Sequence, residues 1–357
     1  MHKLIGQYAG ARLPPLMPTD SLEADRRYCR EVLPRVSRTF ALNIQLLDGS
    51  LGEAVRVGYL LCRAADALED SWPGPAADIR ARFERFLAGL EGDAHAAQSL
   101  ADGARALAAG RDDLELVAQL PRVLAVADAL PGDHRAAVRE GVRTLALGMS
   151  RYASRAAERG DEVPYLDSEA ELEDYCWVVA GCVGVMLTQL LLVACELPHD
   201  DDHARRLALS PMVGQALQLT NILLDWPHDV RRGRCYLPAS WLAEAGITMH
   251  ELVGSPHKAI PPLRDRLERK ARAALAQVPE YIERVPTRLW RYRLFCLWPA
   301  LWSLGSLART RQTPDFPWGP ERPRMLRSEV MLDALAAVFT VHRGDSMRWH
   351  FRRRAAS

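Results

Sequence analysis

Long runs rich in Ala, Leu, Arg and Glu, with apolar residues three and four positions apart, cover most of this chain. That spacing gathers apolar side chains on one face of a helix and does not supply the strict alternation a half-buried strand needs. It predicts helices over 51–70, 78–90, 134–158, 169–197, 211–225 and 261–285. Breakers separate them: "SWPGPAAD" at 71–78, "ELPHDDDH" at 196–203, "RVPTR" at 284–288 and "TPDFPWGPERP" at 313–323. No internal repeat and no Gly/Ser linker divides the chain. The expected architecture is all-α, one domain over residues 1–357 built from roughly ten or more helices. Its core spans 20–310, followed by a Pro-rich segment and a C-terminal helix with a basic tail over 311–357.

The 357 residues are 48% hydrophobic and 25% charged, enough for a sizeable core. A net charge of +1 gives no overall attraction to nucleic acid. The seven cysteines form no CxxC pair and sit mostly in apolar helical runs. They are expected to be reduced thiols of a cytosolic protein. The N-terminal "MHKLIGQYAGARLPPLMP" has no continuous apolar run of the kind a secretory signal carries. "VVAGCVGVMLTQLLLVAC", residues 178–195, has 18 residues without a formal charge, a borderline length for a bilayer core of about 30 Å. Thr188 and Gln189 inside it, and Glu171, Glu173 and Asp174 before it, favour a buried central helix.

Two of the predicted helices carry a polar stripe. In "VGYLLCRAADALEDSWPG", Tyr59, Arg63, Asp66 and Asp70 fall on one face, amid Leu60, Leu61, Ala64, Ala67 and Leu68. In "LTNILLDWPHDVRRGRCYLP", Gln218, Asn221, Asp225 and Asp229 repeat the pattern, among Leu217, Leu219, Ile222, Leu223 and Leu224. Carboxylates four apart on a helix repel by a few tenths of a kcal/mol, and more beside apolar surface unless a cation compensates. Mg²⁺ suits such a pair: it takes oxygen ligands, keeps several waters, and commonly shares one or two carboxylates with substrate phosphates. A single DxxxD is most often a solvated helix face; two with matched polar neighbours point to a shared ligand. "HDDDH" at 199–203 looks metallic, but it follows Pro198 and precedes a helix start, so helix capping accounts for it.

These two segments resemble the aspartate-rich motifs of the squalene/phytoene synthase family. "SRTFALNIQLL", Ser37 to Leu47, is similar to the Ser-Arg-Ser/Thr-Phe motif of its squalene synthase branch. "YCWVVAGCVG", Tyr175 to Gly184, is similar to that branch's Tyr-Cys-x-x-Val-Ala-Gly-x-Val-Gly segment. "RMLRSEV", Arg324 to Val330, more weakly resembles a basic element near the nicotinamide cofactor. The resemblance implies an isoprenoid synthase helical bundle with a central active-site cavity. It implies head-to-head condensation of two farnesyl diphosphates through presqualene diphosphate to squalene, by a farnesyltransferase that uses Mg²⁺ (or Mn²⁺) and NADPH.

On that reading Asp66, Asp70, Asp225 and Asp229 hold metal, and Arg38, Arg63 and Arg234 clamp phosphate as forks. For Arg63 the alternative is a structural salt bridge to Asp66 or Asp70. Phe40, Tyr59 and Tyr175 shield a carbocation, by about 0.5–2 kcal/mol per aromatic face; core packing is the alternative for Phe40. Tyr175 by resemblance also assists proton removal. Gln218 lines the substrate side, and Asn221 lies near the metal–diphosphate or the cofactor, with Arg324 and Arg327 on the cofactor side. Ala180, Gly181 and Gly184 admit either a substrate chain or a neighbouring helix.

Three positions depart from the family pattern. Leu224 replaces an Arg before the first Asp of the second motif, as in the hydroxysqualene-forming branch. His228 replaces a Glu before the second Asp. Pro227 lies inside that DxxxD and is expected to kink or end the helix, drawing Asp225 and Asp229 off a common face. Hydroxysqualene, dehydrosqualene and phytoene therefore stay open as products, as does an inactive member serving as a binding or assembly protein. The expected location is the cytoplasm. A solvated C-terminal tail is the favoured reading of "RWHFRRR", with peripheral contact to anionic lipid at the inner membrane face as the weaker one.

Overall fold

The computed structural model describes residues 19–73, 78–160, 163–320 and 322–356. The N-terminal stretch read above for a secretory signal lies outside them. Among the described residues there is no strand. The first seven helices are α1 (Thr19–Val36), α2 (Arg38–Ile44), α3 (Gly49–Asp70), α4 (Ile79–Leu90), α5 (Ala94–Arg105), α6 (Asp112–Ala118) and α7 (Leu120–Asp128). The central ones follow: α8 (Gly132–Arg159), α9 (Glu169–Cys176), α10 (Cys182–Ala194) and α11 (Asp201–Arg231). The rest are α12 (Ala239–Ala245), α13 (Ile260–Leu275), α14 (Val278–Glu283), α15 (Trp290–Gln312), α16 (Arg327–Thr340) and α17 (Gly344–Ala355).

Helix α3 packs on α8 and α10, and α10 packs in turn on α11. The apolar 178–195 segment is thus a core helix held among three others. It begins with a π-helical turn, Trp177–Gly181, that joins α9 to α10. The α10–α11 contact is made by backbone. A Cβ on Gly184 would lie 2.1 Å from the Ser210 carbonyl oxygen, and one on Gly214 would lie 2.1 Å from that of Ala180. Close helix packing, not space for a ligand, explains Gly184. All seven cysteines are free thiols, six of them buried.

Side-chain caps fix several helix starts. Ser37 accepts from the Phe40 N–H at 3.3 Å, and Asp200 accepts from the His203 N–H at 2.8 Å. The "HDDDH" run is therefore the capped start of α11, with Asp201 and Asp202 in its first turn.

Two expectations need correction. The single helix predicted over 261–285 breaks between Leu275 and Val278, where Pro279 opens α14. Proline is favoured in a first turn and cannot bond back into a preceding one. Pro227 does not end its helix: α11 runs on to Arg231. An interior proline costs about 3 kcal/mol. Burial of Leu223, Leu224, Trp226 and Val230 around it offsets that, at roughly 1.5–3 kcal/mol for each large apolar side chain.

Candidate active site

On α3, Tyr59, Arg63, Asp66 and Asp70 keep exposed surface while Leu60, Leu61, Ala64, Ala65, Ala67 and Leu68 are buried. On α11, Gln218, Asn221, Asp225 and Asp229 do the same among Leu219, Ile222, Leu223 and Leu224. Both stripes exist as read from the sequence, and the unbroken α11 keeps Asp225 and Asp229 in mutual contact electrostatically. Burial raises the pKa of Asp229, and the charges of Asp225 and, from α3, Asp70 add to it. The Asp70 end of one stripe and the Asp229 end of the other therefore lie within reach of each other's charge, and Arg234, just beyond α11, bonds to Asp70.

The Asp66 side chain keeps 37% of its surface. Burial is nonetheless the largest influence on its carboxyl and pushes it up to about 7, with Arg63 opposing and Asp70 and Asp113 reinforcing. Burial likewise raises Asp225, against the pull of Arg322. A cluster of carboxylates that burial holds above their ordinary range is short of positive charge.

Each stripe is partly neutralised from elsewhere in the chain. Arg234 donates to Asp70, and also to the Glu69 carbonyl at 3.1 Å. Arg322 lies 2.9 Å from Asp225. Arg63 grips Asp113 on α6 with two bonds of 3.1 and 2.7 Å, and stands 3.6 Å from Asp66. Its fork is thus committed to a carboxylate. The main partner is thus Asp113, which the sequence reading did not name; of the two carboxylates it did name, Asp66 is in reach and no ion pair joins Arg63 to Asp70 among the described residues. His228, largely exposed, sits 3.6 Å from Asp229.

Behind Asp70 lies a group of tyrosines. Tyr175 stands 5.2 Å from Tyr236, 5.3 Å from Tyr152 and 5.8 Å from Tyr165, ring centre to ring centre. Tyr165 donates to the buried Glu69 at 2.5 Å. Burial raises Glu69, and Asp70 adds to the rise. Burial also lifts Tyr175 well above the ordinary phenol range, and the neighbouring Tyr236 and Glu69 add to the rise. A cavity of about 260 Å³ opens beside this group, lined by Glu69, Asp70, Trp72, Arg82, Tyr165 and Arg234. On the other flank, the rings of Phe40 and Tyr59 lie 5.5 Å apart, so Phe40 packs at the edge of the α3 stripe.

Of the remaining candidates, the Arg38 side chain lies outside the described residues. Arg324 and Arg327 are exposed. Arg324 is near enough to Asp225 to lower its pKa. Arg322, Asp113, Glu69, Tyr165 and Tyr236 went unnoticed in the sequence. Of these, Glu69 lies inside "VGYLLCRAADALEDSWPG" and Tyr236 inside "RRGRCYLP", so only those two fell within or beside a recognised motif.

Among the described residues, no three His, Cys, Asp or Glu side chains converge tightly enough to hold an ion unaided. The donor set still fits Mg²⁺. It is all carboxylate oxygen, divided between α3 and α11, and only partly compensated by arginines. That is the pattern of an ion completed by water and substrate phosphate, not of a protein cage.

A helical bundle carrying two carboxylate stripes whose ends lie within reach of one another defines a class: this is an isoprenoid synthase fold. Residues 33–329 match the squalene/phytoene synthase family, and the chain belongs to that family, which is made up of prenyltransferases. Human squalene synthase is 28% identical over 228 residues, 64% of this chain and 50% of that protein. Chloroplastic phytoene synthase 2 of Oryza sativa subsp. japonica is 34% identical over 230 residues, 63% of this chain and 48% of that protein. The chain thus spans about half the length of these relatives. Among solved structures, a complex of TcSQS with the ligand BPH1237 superposes with a TM-score of 0.76 at 20% identity, covering 93% of this chain and 90% of the other. A dehydrosqualene synthase in complex with ligand gives 0.58 at 19% identity, covering 90% and 98%. At these identities the structural likeness is one of fold.

Proposed function

We propose that this protein joins two farnesyl diphosphates head to head, through presqualene diphosphate, and reduces the product to squalene. The balance is two farnesyl diphosphates, one NADPH and one proton in; squalene, two diphosphates and NADP⁺ out. The observation that carries this reading is the approach of the two stripes at one end, with Asp229 within electrostatic reach of Asp70 and arginines on both sides.

Asp66, Asp70, Asp225 and Asp229 are the residues to hold Mg²⁺ (or Mn²⁺), which when bound supplies Lewis-acid neutralisation of the leaving diphosphate. The protein's own cations complete that task. Arg234 and Arg322, each paired with a stripe carboxylate, can turn to phosphate oxygens as charge-assisted donors once those carboxylates bind metal. Gln218 and Asn221 offer amide donors and acceptors two turns and one turn, respectively, before Asp225. Phe40 and Tyr59 present ring faces to an allylic cation and keep water from it. Cyclopropane closure requires a carbon-bound proton to leave. Tyr175 stays a neutral phenol at ordinary pH, so it assists that step as a hydrogen-bonding group while the diphosphate released in the first ionisation is the base that takes the proton away. Arg324 and Arg327 are the residues to meet the phosphates of a nicotinamide cofactor, and Asn221 would serve either the metal–diphosphate or the cofactor side.

A second reading has its own support. Leu224, where the family carries Arg, is buried, so α11 itself offers no cation at this point. A weaker hold on the diphosphate favours quenching of the final cation by water, giving hydroxysqualene without reductant. Dehydrosqualene or phytoene would follow from proton loss instead.

One experiment separates these outcomes: purified protein with farnesyl or geranylgeranyl diphosphate and Mg²⁺, with and without NADPH, and product identification. Squalene only with NADPH is expected. Hydroxysqualene or a polyene without reductant supports the second reading. No turnover of either substrate overturns both and leaves a binding or assembly role.

A further inference from the structure

Helix α16 leaves an apolar face uncovered. Met331, Leu332, Leu335 and Phe339 are 59, 66, 55 and 80% exposed. At 3.6 residues per turn they share about 100° of the helix surface. Together with Leu326 and Trp349 they make up six of the ten large hydrophobics exposed among the described residues. A concentration of this kind marks an interaction surface, whereas scattered exposed apolar residues need no explanation.

Helix α17 extends the face and gives it charge. Leu332, Ala336 and Thr340 of α16 line a common groove with Trp349, His350 and Arg353 of α17. The Arg353 guanidinium stacks on the exposed Trp349 ring, 5.4 Å from its centre. Residues 343–354 contain five arginines and one acidic residue, in a chain whose net charge is only +1. Arg348 is taken by Glu283, and Arg354 pairs with Asp333. Arg343, Arg352 and Arg353 are exposed, as is Arg327 at the start of α16. None of these four makes an ion pair among the described residues.

We propose that the α16–α17 face docks on the surface of a membrane containing anionic phospholipid. An apolar stripe flanked by exposed arginines, with a Trp at its edge, is the composition of a helix that lies in the interfacial plane. Phosphate headgroups complement the arginines, and the acyl boundary takes Leu332, Leu335 and Phe339. A second copy of this chain fits less well. A two-fold interface would set the same arginines of both copies against each other. Arg322, five residues before α16, pairs with Asp225, so a short segment joins the α16 helix to the candidate site.

The test is co-sedimentation of the full chain with vesicles of phosphatidylcholine alone and of phosphatidylcholine mixed with phosphatidylglycerol. No substrate is present, so the outcome is independent of the proposed reaction. The wild type is expected to bind the mixed vesicles, more weakly at high salt. Leu332→Glu with Phe339→Glu should cut that binding about tenfold or more, with helical circular dichroism unchanged because both side chains are exposed. Arg352→Gln with Arg353→Gln should cut it about fivefold per arginine on mixed vesicles and leave neutral vesicles unaffected. Failure of the wild type to sediment with either vesicle overturns the proposal, and so does indifference to both double variants. A wild-type dimer in light scattering that Leu332→Glu with Phe339→Glu splits, without vesicle binding, overturns it in favour of self-association.

Discussion

Arg322 sets its guanidinium 2.9 Å from the carboxylate of Asp225, reaching it from the segment between α15 and α16. Leu224, the neighbour that carries this cation in the family pattern, points instead into buried surroundings. The positive charge beside the second motif is thus present but comes from another part of the chain. Arg234 and Asp70 repeat the arrangement at the first motif. In both cases the arginine belongs to a different element from the carboxylate, so it can move to substrate without disturbing the helix that holds the acid.

If Arg322 takes over the role that Leu224 cannot fill, Arg322→Gln should lower kcat/KM for farnesyl diphosphate by about 10–100-fold, as for loss of a charge-assisted contact to phosphate. Its side chain is 44% exposed, so the melting temperature should barely change. Arg322→Lys should restore part of the loss. Steady-state kinetics at saturating Mg²⁺ checks this, and a wild-type kcat/KM in Arg322→Gln refutes it.

Asp66→Asn and Asp225→Asn should each abolish diphosphate release, because each removes a charge from one of the two stripes. Release is followed directly by phosphate detection after pyrophosphatase. Near-normal rates in either variant contradict the assignment of these residues to metal.

Asp66 should make the metal-free protein sensitive to pH. Its folded pKa of about 7 exceeds the ordinary carboxylate value near 4. The folded chain therefore binds this proton more tightly than the unfolded one. The resulting stability is present below about pH 4 and is lost as the pH rises through about 7. Asp66→Asn should thus melt above the wild type at pH 8, with the gap closing toward pH 4. Thermal denaturation in chelator, across that range, measures it; a lower melting point for the variant at pH 8 rules the account out.

Gly184→Val tests the α10–α11 contact. Even a Cβ there meets the Ser210 carbonyl at 2.1 Å, and backbone cannot yield as a flexible side chain can. Overpacking of this kind costs about 1–3 kcal/mol or more. Chemical denaturation should show that loss, while Gly49→Ala, with open space around its Cβ, loses stability only through its φ of 59°. Equal stabilities for wild type and Gly184→Val would mean the two helices are further apart.

Much of this protein is legible from its residues in order. Helical spacing is a local property, fixed by 3.6 residues per turn, so the stripes on α3 and α11 follow directly from the order Tyr59, Arg63, Asp66, Asp70 and Gln218, Asn221, Asp225, Asp229. The cap at Asp200 is equally local, because its bond reaches only three residues ahead. Local rules misjudged Pro227, since the burial that carries α11 past it comes from neighbouring elements.

Charge pairing lies beyond such rules. No spacing couples Arg63 to Asp113, Tyr165 to Glu69 or Arg322 to Asp225, because each pair joins segments that only packing brings together. The same holds for the pKa of Asp66, which depends on what surrounds the carboxyl in space. The sequence by itself determined the helices and the residue types on their faces. The tertiary structure alone decided which faces meet, and with them which cation answers each carboxylate, since Coulomb interaction and desolvation follow distance through space and not along the chain.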